Sequence, residues 1–127
     1  MATQYWVVGA TYDKEDQYSR FVNGGFWMLG WEKDDDPTQY ELAKQIHKGD
    51  RIAIKIKNGR AARDITIRCI GVVNEVIFDN ARIFCTVTWC AKDLARKVFS
   101  HGCFKAIHGP YIMQGKDKSW LQDIFTL

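Results

Sequence analysis

Two tryptophans in the first third of the chain are spaced as the walls of a ring-binding pocket would be. Trp27 and Trp31 lie four residues apart around Gly30, and Phe26 directly precedes the first of them. Tyr12 follows an apolar run and could supply a further wall. Flat aromatic side chains stack on planar rings, and one stacked nucleobase contributes about 1–3 kcal/mol to binding. The candidates for such a pocket are Tyr12, Phe26, Trp27 and Trp31.

Basic residues concentrate in the middle of the chain. Seven Lys and Arg residues lie between positions 44 and 63 against Asp50 alone, whereas eight acidic residues lie between positions 13 and 41 against three basic ones. Cations on a strand or in a turn can follow a phosphate backbone without reading sequence, although a solvated surface has the same composition. The candidate phosphate contacts are Lys48, Arg51, Lys55, Lys57, Arg60 and Arg63.

Cysteine and histidine residues gather near the end of the chain, but their spacing does not favour a metal or catalytic site. Cys85, Cys90, His101, Cys103 and His108 fall within 24 positions without a CxxC pair. Cys85 lies inside an apolar run, and a nucleophile formed by Cys103 with either histidine would need a geometry that the sequence does not indicate. We expect no metal, no cofactor and no catalytic residue.

The elements that must position these residues follow from hydrophobic periodicity. Residues 4–10 are typical of a buried strand, and Asp13 could cap a short helix that ends at Asn23-Gly24-Gly25. Asp36-Pro37 predicts the start of a second helix reaching His47.

A three-strand meander is predicted next. Residues 50–57 alternate between isoleucines and other residues, so we expect a half-buried strand with its basic groups outward. A long strand over residues 64–78, bent or bulged at Gly71, leads through a turn at Asp79-Asn80 into a strand over residues 82–89. Trp6 and Trp89 lie inside strands and are assigned to the core.

The signals weaken after Trp89. Residues 92–99 are ambiguous between helix and irregular chain, and residues 119–125 are typical of a last helical turn. The segment from His108 to Tyr111 predicts a tight turn that either closes over the pocket or, as we favour, terminates the barrel.

Length and composition favour a single domain over residues 1–127. A chain of this length with 46% hydrophobic residues buries roughly two-thirds of its unfolded surface, which suffices for one core. There is no run of 18 apolar residues and no secretion signal, so we expect a cytoplasmic protein without a membrane partner and with four reduced cysteines.

An ordered series of segments resembles a known family. The segments are YWVVGATY (5–12), RFVNGGFW (20–27), Trp31, KGDRIAIK (48–55), IRCIGVV (67–73) and VTW (87–89). They resemble the EVE-like reader domain found at the N-terminus of many McrB-type modified-DNA restriction GTPases. That domain belongs to the PUA-like superfamily, with the EVE, YTH and ASCH domains. The resemblance covers roughly residues 5–89 and implies an α+β fold, a strongly curved β-barrel of five to six strands with flanking short helices.

Two departures from the family matter. Members fused to a GTPase carry a P-loop, whereas no GxxxxGK[ST] motif occurs in these 127 residues. The connection after the basic strand, residues 58–63, is also shorter than in many members.

The residues and the resemblance together predict a binding module and not an enzyme. The expected partner is DNA or RNA with a modified or flipped base in the aromatic pocket, together with a separately encoded effector protein. An enzyme or small-molecule binder acting on a nucleoside-like ligand is the first alternative. A protein-interaction domain with Trp27 and Trp31 as an exposed hot spot is the second.

Overall fold

A curled β-sheet forms the centre of the fold. The computed structural model describes residues 2–12, 14–59, 61–79 and 82–127. The strands within these residues are β1 (Gln4–Val8), β2 (Thr11–Tyr12), β3 (Glu15–Asp16), β4 (Phe26–Met28), β5 (Arg51–Lys57), β6 (Asp64–Asp79), β7 (Arg82–Ala91), β8 (Arg96–Phe99) and β9 (Ile107–Ile112). Six of them form a curled half-barrel in the order β4-β7-β6-β5-β1-β9, and β8 pairs with the beginning of β6.

Three short helices flank the sheet, so the α+β class is confirmed. They are α1 (Tyr18–Gly24), α2 (Pro37–Ala43) and α3 (Lys118–Phe125), the last preceded by a 3-10 turn at Gly115–Asp117. The predicted meander is also confirmed, since β5, β6 and β7 pair antiparallel in sequence order. In the part of the chain that is described, no helix has the length and apolar composition needed to cross a membrane.

Hydrophobic clusters cover both faces of the sheet. Trp6 and Val8 of β1 join the cluster that includes residues of α1 and α2, whereas Val7 between them joins the cluster that includes residues of α3. This alternation buries β1 and β5 on two sides. The prediction that residues 50–57 are half-buried with basic groups outward therefore holds for Lys57, which is exposed, and is wrong for Lys55, which is only 4% exposed.

Long strands bend where their pairing changes register. The pairing of β6 with β7 shifts between Ile70 and Gly71, which confirms the irregularity predicted at that glycine. A Cβ at Gly71 would lie 2.6 Å from the carbonyl oxygen of Thr88, so a larger residue does not fit there.

The first helix begins later than predicted. Asp13 lies outside the described residues, and α1 begins at Tyr18, whose amide donates to Oδ1 of Asp16 at 2.9 Å. The small hairpin of β2 and β3 takes up the preceding residues. The predicted stop is confirmed, because Gly25 ends α1 with a φ of 68°.

The last third of the chain contains more strand than predicted. Residues 96–99 form β8, and residues 107–112 form β9, which pairs antiparallel with β1. The predicted tight turn from His108 to Tyr111 is therefore wrong, because these residues complete the sheet beside β1. The predicted terminal helical turn is confirmed by α3, which buries Trp120, Leu121 and Ile124.

Candidate functional site

A cavity of about 600 Å³ opens where β1 and β5 end. Five chain segments meet around it, and they come from the end of β1 onward, the residues after β4, the start of α2, the end of β5 and the residues before β9. Its lining residues are Gly9, Ala10, Thr11, Tyr12, Gly30, Trp31, Asp36, Gln39, Lys55, Ile56, Lys57, Phe104, Lys105 and Ala106. The volume lies within the usual range of about 300–1,000 Å³ for ligand sites.

Tyr12 forms a fixed wall of the cavity. Its hydroxyl donates to the carbonyl oxygen of Met28, so it is already engaged by the protein. Its ring lies against Gly30, where a Cβ would approach to 2.5 Å. Burial raises the pKa of the Tyr12 hydroxyl well above its ordinary value, which keeps it a neutral donor. The ring face, and not the hydroxyl, is therefore what Tyr12 offers to a ligand.

Trp31 forms an accessible wall. It directly follows Gly30, lines the cavity and is 45% exposed. The next residue, Glu32, forms a 3.1 Å ion pair with Arg82 of β7. Asp36 then caps α2 by accepting a hydrogen bond from the Gln39 amide. The loop that carries Trp31 is therefore held at both ends, and its indole is available for stacking.

Two of the four predicted aromatic walls are corrected by the structure. Trp27 is fully buried, and its Nε1 donates to the carbonyl oxygen of Gly9 at 2.9 Å. Phe26 packs edge-on against Phe21 and lies under the guanidinium of Arg20. Neither residue lines the cavity. The pairing of β4 with β7 fixes the direction of both side chains, so that Trp27 belongs to the hydrophobic core and Phe26 packs against it.

Buried Trp27 nevertheless positions the site. Its hydrogen bond fixes Gly9, and the Gly9 amide donates to the carbonyl oxygen of Ala106 at 2.8 Å. The end of β1 is thus tied both to β4 and to the segment before β9. These two bonds fix the positions of Gly9 and Ala106, which both line the cavity.

Three lysines line the cavity, of which sequence analysis found two. Lys55 and Lys57 lie at the end of β5, and Lys105 precedes β9 beside the 40% exposed Phe104. Phe104 and Lys105 were missed because the residues around them had no assigned structure that could bring them to β5. An aromatic residue next to a cation was the available signal.

The other predicted phosphate contacts lie outside the cavity wall. Arg51 is the first residue of β5, about 20 Å along the strand from Lys57, and Lys48 precedes the strand. Arg63 is exposed in the connection from β5 to β6, at the same end as Lys57. Arg60 lies outside the described residues. Of the five candidates with described positions, Lys55 and Lys57 are the two that line the cavity.

The cavity has an electropositive wall. Burial first, and then the neighbouring charge of Lys57, lowers the pKa of Lys55 to about 8. Burial, followed by the charges of Lys55, Lys105 and Lys57, lowers the pKa of His108 to about 4. His108 Nε2 accepts a hydrogen bond from the Lys105 amide at 2.9 Å, which requires the neutral ring. This wall therefore attracts anions at neutral pH without help from a charged histidine.

Two polar side chains of α2 complete the lining. Gln39 is 2% exposed, and its Oε1 accepts a hydrogen bond from the Ile107 amide at 3.0 Å. Asp36 is only half-buried and uses Oδ1 as the helix cap. Among the residues with described positions, no group of three His, Cys, Asp or Glu side chains is arranged to hold a metal ion.

Comparisons with known proteins add no identity. No protein-family model matches the chain, and no curated protein matches it.

The arrangement of the cavity offers two flat walls, an electropositive side and a few buried polar groups. Such a site can stack a planar ring and hold an anion close to it.

Proposed function

We propose that this chain is a nucleic-acid-binding module that holds an unpaired or flipped base, in particular a modified one, in the cavity. The base stacks between Tyr12 and Trp31, and flanking phosphates contact Lys57 and Lys105 at the rim. The observation that carries the proposal is that the exposed Trp31 indole lines the same cavity as three lysines. In this proposal the chain only binds, and a separately encoded effector protein would act on the bound nucleic acid.

A PUA-like fold of the EVE-like kind belongs to the same proposal. The curled half-barrel with three short helices is compatible with it. The family resemblance placed Tyr12 and Trp31 among the pocket residues, and both line the cavity. The proposal includes both DNA and RNA as partners, because base stacking and phosphate contacts can form with either nucleic acid.

Anisotropy of labelled single strands tests the stacking contact. DNA and RNA strands with and without methylated bases would be titrated against the chain, Trp31→Ala and Trp31→Phe. We expect Trp31→Ala to weaken binding about tenfold and Trp31→Phe to retain most affinity, because a phenyl ring still stacks. Phe78→Ala is the control, since Phe78 is 54% exposed and lies outside the cavity. Full affinity of a folded Trp31→Ala protein would refute the base-binding role.

Salt dependence tests the phosphate contacts. The logarithm of the binding constant falls linearly with the logarithm of the salt concentration, and each lost phosphate contact with a single strand reduces the magnitude of this slope by about 0.7. We expect Lys57→Ala and Lys105→Ala each to lower the slope by about this amount. Lys48→Ala and Arg51→Ala should leave it unchanged, because both residues lie at the other end of β5. An equal loss in all four variants would assign the effect to overall charge instead of the cavity rim.

A small nucleotide ligand is the second candidate, favoured by the size of the cavity. A volume of about 600 Å³ can enclose a mononucleotide. Free nucleotides that bind as tightly as strands would support this candidate. The protein-interaction alternative is weakened, because one of its two hot-spot tryptophans, Trp27, is buried.

A further inference from the structure

The polar groups deep in the cavity differ from those at its rim. Lys57 and Lys105 are exposed, whereas Lys55 and Gln39 are almost completely buried and still line the cavity. A ligand that enters past Trp31 therefore meets Lys55 and Gln39 last. These two groups are positioned to read the edge of the ring.

Gln39 presents a donor to the cavity. Its Oε1 is bound by the Ile107 amide, which fixes the orientation of the carboxamide. Its Nε2 has no hydrogen-bond partner in the described part of the chain, and it is not among the fully enclosed unpartnered atoms either. The amide hydrogens are thus left for a ligand. A glutamine free to flip could donate or accept, but this one only donates.

Lys55 presents a second donor. It belongs to none of the ion pairs found among the described residues, and a Cβ placed on Gly9 would lie 3.7 Å from its Nζ. A buried ammonium without a carboxylate partner gains most from a strong acceptor. Asp36, a carboxylate of the wall, is at the rim and engaged as a helix cap. Among the described lining residues, the two almost completely buried polar side chains, Lys55 and Gln39, are therefore both donors.

We infer that Lys55 and Gln39 select a base that bears a ring carbonyl and reject adenine. Guanine and hypoxanthine present two neighbouring acceptors, O6 and N7, to a pair of donors. Cytosine and uracil also carry a ring carbonyl. Adenine has none, and its amino group would face the two donors and leave one of them unpaired. The inference rests on the proposed function and adds the class of base to it.

A matched pair of ligands tests the selection. The probes are strands of abasic residues with one central base, either hypoxanthine or adenine, which stack alike but differ at C6, a carbonyl or an amino group, and at N1, which carries a proton only in hypoxanthine. We expect the hypoxanthine strand to bind about tenfold more tightly, the factor for one donor left unpaired. Equal binding of the two, or tighter binding of the adenine strand, would overturn the inference.

Two variants show whether the selection comes from the assigned groups. Gln39→Glu keeps an acceptor for the Ile107 amide and replaces the donor, so the preference should fall to about twofold or reverse. Lys55→Met keeps the length of the side chain and removes the charge, with the same direction of effect. Folding of each is checked by near-UV circular dichroism, and either folded variant suffices. An unchanged preference in the folded variants would contradict the assignment.

The same titrations separate the inference from the proposed function. If strands with a base bind more tightly than an all-abasic strand, but hypoxanthine and adenine bind equally, the inference fails and base binding stands. If no base improves on the all-abasic strand, base binding itself fails. The titratable groups around Lys55 are Tyr12, Asp36, Lys57, Cys103, Lys105 and His108, so all titrations are run at one pH near neutrality.

Discussion

Lys55 holds an ammonium group at a nearly solvent-free position, and this has a measurable cost. Burial, followed by Lys57, lowers its pKa to about 8, so the folded protein releases this proton before the unfolded chain does. Below pH 8 the burial penalty is fully present, and it disappears as pH rises toward 10.5, because there the unfolded state binds more protons. A shift of this size corresponds to about 3 kcal/mol.

We therefore predict that Lys55→Met is more stable than the parent protein by about 3 kcal/mol near neutral pH. The difference should shrink as pH rises from 8 to 10.5. Urea unfolding of both proteins across this range measures it, and the comparison cancels the titration of tyrosines and cysteines. A difference that stays constant with pH would show that Lys55 is not desolvated in solution.

His108 also has a lowered pKa, and its effect on stability falls on the acid side. Burial and the charges of Lys55, Lys105 and Lys57 lower its pKa to about 4, and its Nε2 accepts a bond from the Lys105 amide. The free energy of unfolding is unaffected by His108 above pH 6.5, where the ring is neutral in both states. It falls as pH drops from 6.5 toward 4, because there the unfolded state binds more protons. We expect a loss of about 2 kcal/mol over this range, allowing for the part of the ring that water reaches.

The variant His108→Gln removes this titration while keeping an acceptor. Between pH 6.5 and pH 4, the free energy of unfolding of this variant in urea should fall by about 2 kcal/mol less than that of the parent protein. Lys55→Met supplies an independent check, because removing one of the three charges should weaken the parent's acid sensitivity. Identical pH profiles for the parent and His108→Gln would contradict the assigned pKa.

Single residues also show where sequence reasoning stops. The aromatic spacing pointed to the right segment, but it could not decide that Trp31 faces the cavity and Trp27 the core. That choice depends on the pairing of β4 with β7, which is a contact between distant parts of the chain. Lys55 lines the cavity, but the prediction that it points outward is wrong, because the cover of the second sheet face comes from residues beyond position 95.

At the scale of elements, the loop after β4 depends on one close approach. A Cβ at Gly30 would lie 2.5 Å from the Tyr12 ring, which cannot move without losing its hydroxyl bond to Met28. We predict that Gly30→Ala displaces the Trp31 loop and weakens strand binding about tenfold with only a moderate loss of stability.

Gly9→Ala is the matched control for this prediction. Gly9 lies in the same cavity, but its Cβ would meet Lys55 and Ala106 at ordinary contact distances of 3.7–4.0 Å. It should fold as well as the parent protein and keep the Trp31 loop in place. Anisotropy and thermal unfolding of both variants decide the matter, and equal effects would argue against a special role for Gly30.

Elements with strong local signals were predicted well, and those defined by partners were not. The cap and proline at Asp36-Pro37 and the glycine stop at Gly25 are local, and both were found. Strand β9 carries a glycine and a proline that are typical of turns, and it is a strand because β1 pairs with it. The missing β9 is also why Lys105 was missed.

At the scale of the whole molecule, the two faces of the sheet carry different hydrophobic clusters, and under the proposed function this separates stability from binding. One cluster packs α1 and α2 beside the cavity, and the other packs α3 against the opposite face. An α+β class could be predicted because strand and helix periods are local. The two-faced cover of β1 and β5 could not, because α3 reaches them across more than 60 residues of chain.

This division predicts a double dissociation between two variants. Leu121 is a fully buried residue of α3, and none of the residues of α3, all of them described, lines the cavity. Leu121→Ala should lower the free energy of unfolding by about 2–5 kcal/mol, since it leaves a cavity in the core, and should leave strand affinity unchanged while the protein remains folded.

Trp31→Ala should weaken strand binding and leave the free energy of unfolding almost unchanged, because its ring is half exposed and contributes little to the core. Asp123→Ala, exposed on the same helix, controls for changes in α3 itself. Urea unfolding and anisotropy on the same preparations measure both quantities, and a dissociation constant that rises in step with lost stability would show that the two faces act as one unit.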